Sequence, residues 1–174
     1  IEAVTKSMWA DMAIADIQDA ALNALLFIAA STGMSYVGSE SDGETRTTIG
    51  IINVLSQNES VCDSVLFSMQ THPNMHEIQL KGCLIFASLS ASSSDNNNTG
   101  GNADGSLSGA MTMVLNAMTS HADSRAIRKA GLQTLHHQCL LSTYASANRR
   151  TFVKSKLGNG MPAIDLVIYA IEEL

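Results

Sequence analysis

One feature governs this chain of 174 residues: it repeats itself. The set Val65, Met69, His72, Ile78, Gln79, Gly82, Cys83, Phe86 and Leu89 falls, 49 residues later, on Val114, Met118, His121, Ile127, Arg128, Gly131, Leu132, Leu135 and Gln138. Moved 61 residues earlier, it falls on Val4, Met8, Asp11, Ile17, Gln18, Ala21, Leu22, Leu25 and Ile28. No gap is needed inside any copy, and Val167 and Ile171 open a fourth. Repetition of this kind marks an array of stacked units, none of which can bury its apolar face alone.

The internal spacings are helical. Val and Met at i, i+4 share one helix face. Ile78, Gly82, Ile85, Phe86 and Leu89 form an apolar stripe at the 3.6-residue period, and Ile17, Ala21, Ala24, Leu25 and Ile28 repeat it. Between the two halves stand turn and cap residues, His72-Pro73-Asn74 in one copy and Ala122-Asp123-Ser124 in another. Each unit therefore reads as helix, turn, helix. The position Ala21, Gly82, Gly131 is small in every copy. A glycine inside a helix is unfavourable by up to ~1 kcal/mol against alanine, so close approach of the paired helix is expected there. With only two prolines, long helices are free to form. Further helices are expected over 148–156 and near 45–57, and the polar stretches 30–47 and 90–108, including Asp95 to Thr99, read as connectors.

Composition narrows the setting. Apolar residues make up 45% and charged residues 15%, which excludes a disordered tail. The longest apolar stretch, Ala20 to Ala30, is too short to span a bilayer and contains Asn23. No charged and apolar leader pattern follows Ile1, so no targeting peptide is expected. Three cysteines form no disulfide framework and point to a reducing compartment, cytoplasm or nucleus. The formal net charge is −6, yet Arg125, Arg128, Lys129, Arg149, Arg150, Lys154 and Lys156 form a window without an acid. The overall acidity disfavours general nucleic-acid binding. The window is either a solvated basic face or a contact for an acidic partner, to be tested by Arg128→Glu with Lys129→Glu.

Motifs for chemistry are weak. Gly158-Asn159-Gly160-Met161-Pro162-Ala163 matches a dinucleotide-binding pattern, but the charged segment before it does not read as a buried strand. Asp95, Asn97, Thr99 and Gly100 fit half of a calcium loop, with Ser106 where a bidentate Glu is needed. His72, His76, His136, His137 and Cys139 lack the spacing of a zinc site. His72 and His121 share a repeat position at a helix end, where imidazole suits the negative pole. Gly105-Ser-Leu-Ser-Gly109 has leucine where a nucleophilic serine would stand. Cys62, Cys83 and Cys139 lie on apolar helical stretches and read as packing residues. The sequons at Asn58 and Asn97 matter only in a secreted chain. No enzymatic activity, cofactor or metal is expected, and no membrane partner.

The run from Met69 to Cys83, with His72-Pro73-Asn74 at its turn and Gly82 in the second helix, resembles an armadillo repeat. The variant it is similar to ends one helix in Met and places His three residues later. Asn148-Arg149 through Phe152-Val153 to Gly160-Met161-Pro162 resembles the first helix and turn of the next unit. HEAT-like pairing is the near neighbour. The resemblance implies an all-α, right-handed α-solenoid of about three armadillo-like repeats plus part of a fourth. The units run 1–45, 46–105 and 106–157, with a partial unit 158–174, as a fragment of a larger solenoid. Its apolar ends, Ile1, Val4 and Met8 at one and Leu166, Val167 and Ile171 at the other, invite end-to-end pairing with a second copy.

The resemblance also implies a concave groove lined by the last helix of each unit. In the importin type, that helix carries Trp and, four residues on, Asn. The matching pairs here are Asn23 and Phe27, Leu84 and Ser88, Gln133 and His137, so neither family residue is in place and a nuclear-localisation-signal receptor is disfavoured. The expected function is a non-catalytic scaffold that binds a peptide or protein through those six residues. The alternative is a regulatory or structural segment of a larger multidomain enzyme or assembly.

Overall fold

The computed structural model describes residues 1–31, 59–93, 104–141, 145–154, 156 and 160–172. The fold is all-α. The helices are α1 (Glu2–Ala10), α2 (Ala15–Ser31), α3 (Glu59–Thr71), α4 (His76–Ser93), α5 (Asp104–Ser120), α6 (Arg125–His136), α7 (Ala145–Lys154) and α8 (Ala163–Glu172). Among the described residues there is no strand, only an isolated bridge between Lys156 and Pro162. No helix among them is long and apolar enough to cross a membrane.

The repeated apolar positions become the core. Val65 and Met69 on α3, and Val114 and Met118 on α5, are fully buried, as are Ile78, Phe86 and Ile127 on the helices that follow. Pro73, which cannot donate a backbone hydrogen bond, lies in the turn that separates α3 from α4. Ser124 starts α6 by accepting from the Ile127 amide at 3.3 Å. The hairpins α1–α2, α3–α4 and α5–α6 pack in order: α1 lies against α3 and α3 against α5, while α2 lies against α4 and α4 against α6. α8 packs on α7, α5 and α6. One continuous apolar cluster runs from Met8 to Ala170.

Two polar devices recur with the repeat. The Gln18 amide donates from Nε2 to the carbonyls of Met8 (2.9 Å) and Asp11 (3.1 Å), and Gln79 donates likewise to Met69 (2.8 Å) and His72 (3.0 Å). Each buried glutamine thus satisfies carbonyls that end the helix before it. Arg128 holds the third such position and donates to the Ala122 carbonyl. The second device joins neighbours. His72 Nε2 lies 3.0 Å from the Met12 carbonyl, and His121 Nε2 lies 3.0 Å from the Pro73 carbonyl. A carbonyl only accepts, so Nε2 carries the proton in both. Each histidine ties its turn to the turn of the preceding hairpin.

The small positions have a specific neighbour. A β-carbon at Gly82 would fall 2.3 Å from Met69 Sδ, and one at Gly131 would fall 2.4 Å from Met118 Sδ. The paired helix does approach closely, and its methionine fills the space.

Several boundaries differ from the sequence reading. The basic helix spans Ala145–Lys154 rather than 148–156. Residues 90–93 finish α4 and 104–108 begin α5. The helix expected near 45–57 and most of both connectors lie outside the described residues. Leu166 and Met8, expected among the apolar residues of the two ends, are buried. The exposed apolar side chains at that far end are Ile164, Ile168, Tyr169 and Ile171.

Candidate functional site

α2, α4 and α6 pack side by side; Asn23 and Phe27 lie on α2, Leu84 and Ser88 on α4, Gln133 on α6 and His137 just past its end. Phe27 is 75% exposed and Leu84 is 37% exposed, two large apolar side chains on neighbouring helices. Asn23 is exposed, while Ser88, Gln133 and His137 are half-buried. Asn23 donates to Asp19 Oδ2 at 3.3 Å, and Ser88 donates to its own helix at Leu84 O, 2.9 Å. The Ser88 proton is therefore used within the helix, leaving fewer free donors than the residue types alone imply. Asp19 is held in turn by Lys81 Nζ of α4, with 2.5 Å between the charged atoms. This ion pair links α2 to α4.

At the other end of the face, α6 passes into a π-helical turn, His137–Leu141. Such turns are rare and commonly sit at functional sites. Gln138 anchors it, donating to Ser90 Oγ of α4 at 2.9 Å and receiving Asn148 Nδ2 of α7 at 3.0 Å. The His137 Nδ1 atom is shielded from water without a hydrogen-bond partner. Burial, and then the charge of neighbouring His136, hold its pKa below the ordinary histidine value. His137 therefore loses its proton more readily than an exposed imidazole.

The basic window divides. Arg125, Lys129, Arg149, Arg150, Lys154 and Lys156 are exposed. Arg128 is 8% exposed, its guanidinium spent on the Ala122 carbonyl, so it belongs to the core and not to a charged surface. Arg128→Glu would disturb folding, and the double variant with Lys129 does not isolate a surface contact. A depression of about 570 Å³ is lined by Arg149, Arg150, Val153 and Lys154 of α7. A second, of about 390 Å³, lies between α3 and α5 beside Pro73 and Gln79. Neither is lined by the six groove residues.

The remaining motifs take structural places. His76 Nε2 lies 2.8 Å from Ser124 Oγ and its ring meets His121 edge-on at 5.7 Å, so these histidines join hairpins. Among the described residues, no three His, Cys, Asp or Glu side chains converge as metal ligands. Cys62 and Cys83 are buried and Cys139 half-buried, all as free thiols. Burial pushes Cys83 from 9.0 up to about 12, so it stays protonated and unreactive at neutral pH. Cys139 is also raised by burial, opposed by the charge of Arg149. Phe152 to Lys154, ahead of that pattern, belong to helix α7 and not to the strand a dinucleotide site needs; Gly160, at φ +82°, serves the turn into α8. The Gly105–Gly109 pattern lies inside α5, and Asp95, Asn97, Thr99 and Gly100 fall outside the described residues.

In comparisons with protein-family models, curated proteins and solved structures, the chain matches none.

Sequence reasoning missed the π-helical turn, the Asp19–Lys81 pair and the exposed stripe on α8. The histidine ties were within reach, because His72 and His121 recur at one repeat position beside the turns they join.

Proposed function

We propose that this chain is a non-catalytic protein-interaction scaffold, an armadillo-like α-solenoid that binds a peptide or protein along the face of α2, α4 and α6. The observation that carries this reading is the exposure of Phe27 and Leu84, two large apolar side chains on neighbouring helices. Exposed apolar anchors spaced along adjacent helices suit an extended ligand, with Gln133 and His137 offering polar contacts further along. The ladder of hydrogen bonds and the Asp19–Lys81 pair hold the helices in register, which limits the ordering that binding requires. The test is selection of a displayed random-peptide library on the chain, counter-selected on a Phe27→Glu, Leu84→Glu variant whose folding is checked by circular dichroism. Enriched peptides should lose binding to the variant. Equal binding to both proteins, or no enrichment, overturns the reading.

A further inference from the structure

The grooves between the first helices of successive hairpins are filled differently. α1 packs on α3, and α3 on α5. Between α1 and α3 the rings of Trp9 and Phe67 meet, with centroids 5.2 Å apart. In the sequence register that carries Met8 onto Met69 and Val65 onto Val114, Trp9 becomes Gln70 and Phe67 becomes Asn116. Two amides therefore replace two rings, and both line the depression of about 390 Å³ between α3 and α5. That is room for one small ligand, at the lower end of the usual range.

The lining sets the chemistry of the occupant. Pro73, Met113 and Ala117 supply apolar surface, and a methionine sulfur makes favourable contact with an aromatic ring. Gln70 and Asn116 are exposed, and among the described residues neither side-chain amide has a hydrogen-bond partner. Each presents a carbonyl acceptor beside an N–H donor. That pattern pairs bidentately with the adjacent donor and acceptor on an edge of adenine. Gln79, 2% exposed, forms part of the wall. Its Nε2 is committed to the carbonyls of Met69 and His72, which leaves its amide oxygen to accept from a ligand. His121 meets this lining only through its bond to the Pro73 carbonyl. Among the described residues no charged side chain lines the depression, so a phosphate would gain no ion pair there.

We propose that the depression between α3 and α5 binds an uncharged nitrogen heterocycle of the adenine type, as the free base or its nucleoside. The ring packs on Pro73 and Met113, and its edges pair with the amides of Gln70 and Asn116. The site is separate from the α2–α4–α6 face and does not rest on its reading.

The test is titration of adenosine into the intact, isotope-labelled chain, read by nuclear magnetic resonance at the side-chain amides of Gln70 and Asn116. Both signals should shift saturably. Gln70→Leu and Asn116→Leu, close in size but without hydrogen-bonding atoms, should each weaken binding about tenfold, as read from backbone amides around the site. Gln70→Trp with Asn116→Phe places an aromatic pair like Trp9 and Phe67 in the depression. This variant, checked for folding by circular dichroism, should no longer respond to adenosine. Adenosine monophosphate should bind no more tightly than adenosine. No saturable shift, undiminished binding to both leucine variants or to the filled variant, or tighter binding of the monophosphate overturns the proposal. So does tighter binding of N-acetyltryptophanamide than of adenosine, because the occupant is then an aromatic side chain of a partner.

Discussion

Gly82 and Gly131 show how a single atom decides packing in this molecule. A β-carbon at either site would overlap the sulfur of a buried methionine on the paired helix. In the first copy the same sequence position is Ala21, and both it and Met8 are buried, so a methyl group is tolerated there. Gly82→Leu or Gly131→Leu is therefore expected to destabilise the fold by about 3 kcal/mol through overpacking, and Gly→Ala by much less, since the helix itself favours alanine. Urea denaturation of the four variants measures this, and equal midpoints for Leu and native protein would contradict it. At this scale the sequence was informative: two glycines in a helical stripe flagged close approach. The charge of Arg128 misled, because an arginine reads as surface until its position is seen to be the buried one of Gln18 and Gln79.

Helix boundaries follow local chemistry where a cap is present and neighbours where it is not. Ser124 caps α6 and is also met by His76 from α4, so one hydroxyl serves a helix start and a contact between hairpins. Ser124→Ala is expected to lower stability by about 1–2 kcal/mol, while Ser124→Asp, which restores the acceptor, should recover most of it. Thermal melts of both variants decide the point; a neutral Ser124→Ala would show that the cap contributes nothing. The π-helical turn after His136 had no local signature in the sequence. It is held by Gln138 reaching Ser90 and by Asn148, contacts 48 and 10 residues away in the chain. Likewise α5 takes up Asp104 and the polar residues after it, which composition alone assigned to a connector.

Across the whole molecule, one core runs through every hairpin, so the units should unfold together despite their repetition. Trp9 reports on this, because its ring lies 5.2 Å from Phe67 and bridges α1 to α3. Its fluorescence and the far-ultraviolet circular dichroism should give coincident denaturation curves; an earlier fluorescence transition would mean that the first hairpin opens alone. Sequence by itself determined the all-helical character, the turns at Pro73 and Ser124, and the burial of Met8, Met69 and Met118. Those features are local or periodic, and periodicity is written along the chain. Tertiary structure alone decided which polar groups are spent inside the fold: Ser88 on its own helix, Arg128 on a turn, His72 and His121 on the turns before them. It also decided that Ile164, Ile168 and Ile171 stand open. Exposure and hydrogen bonding depend on what lies across from a residue, and that neighbour comes from a helix tens of residues away.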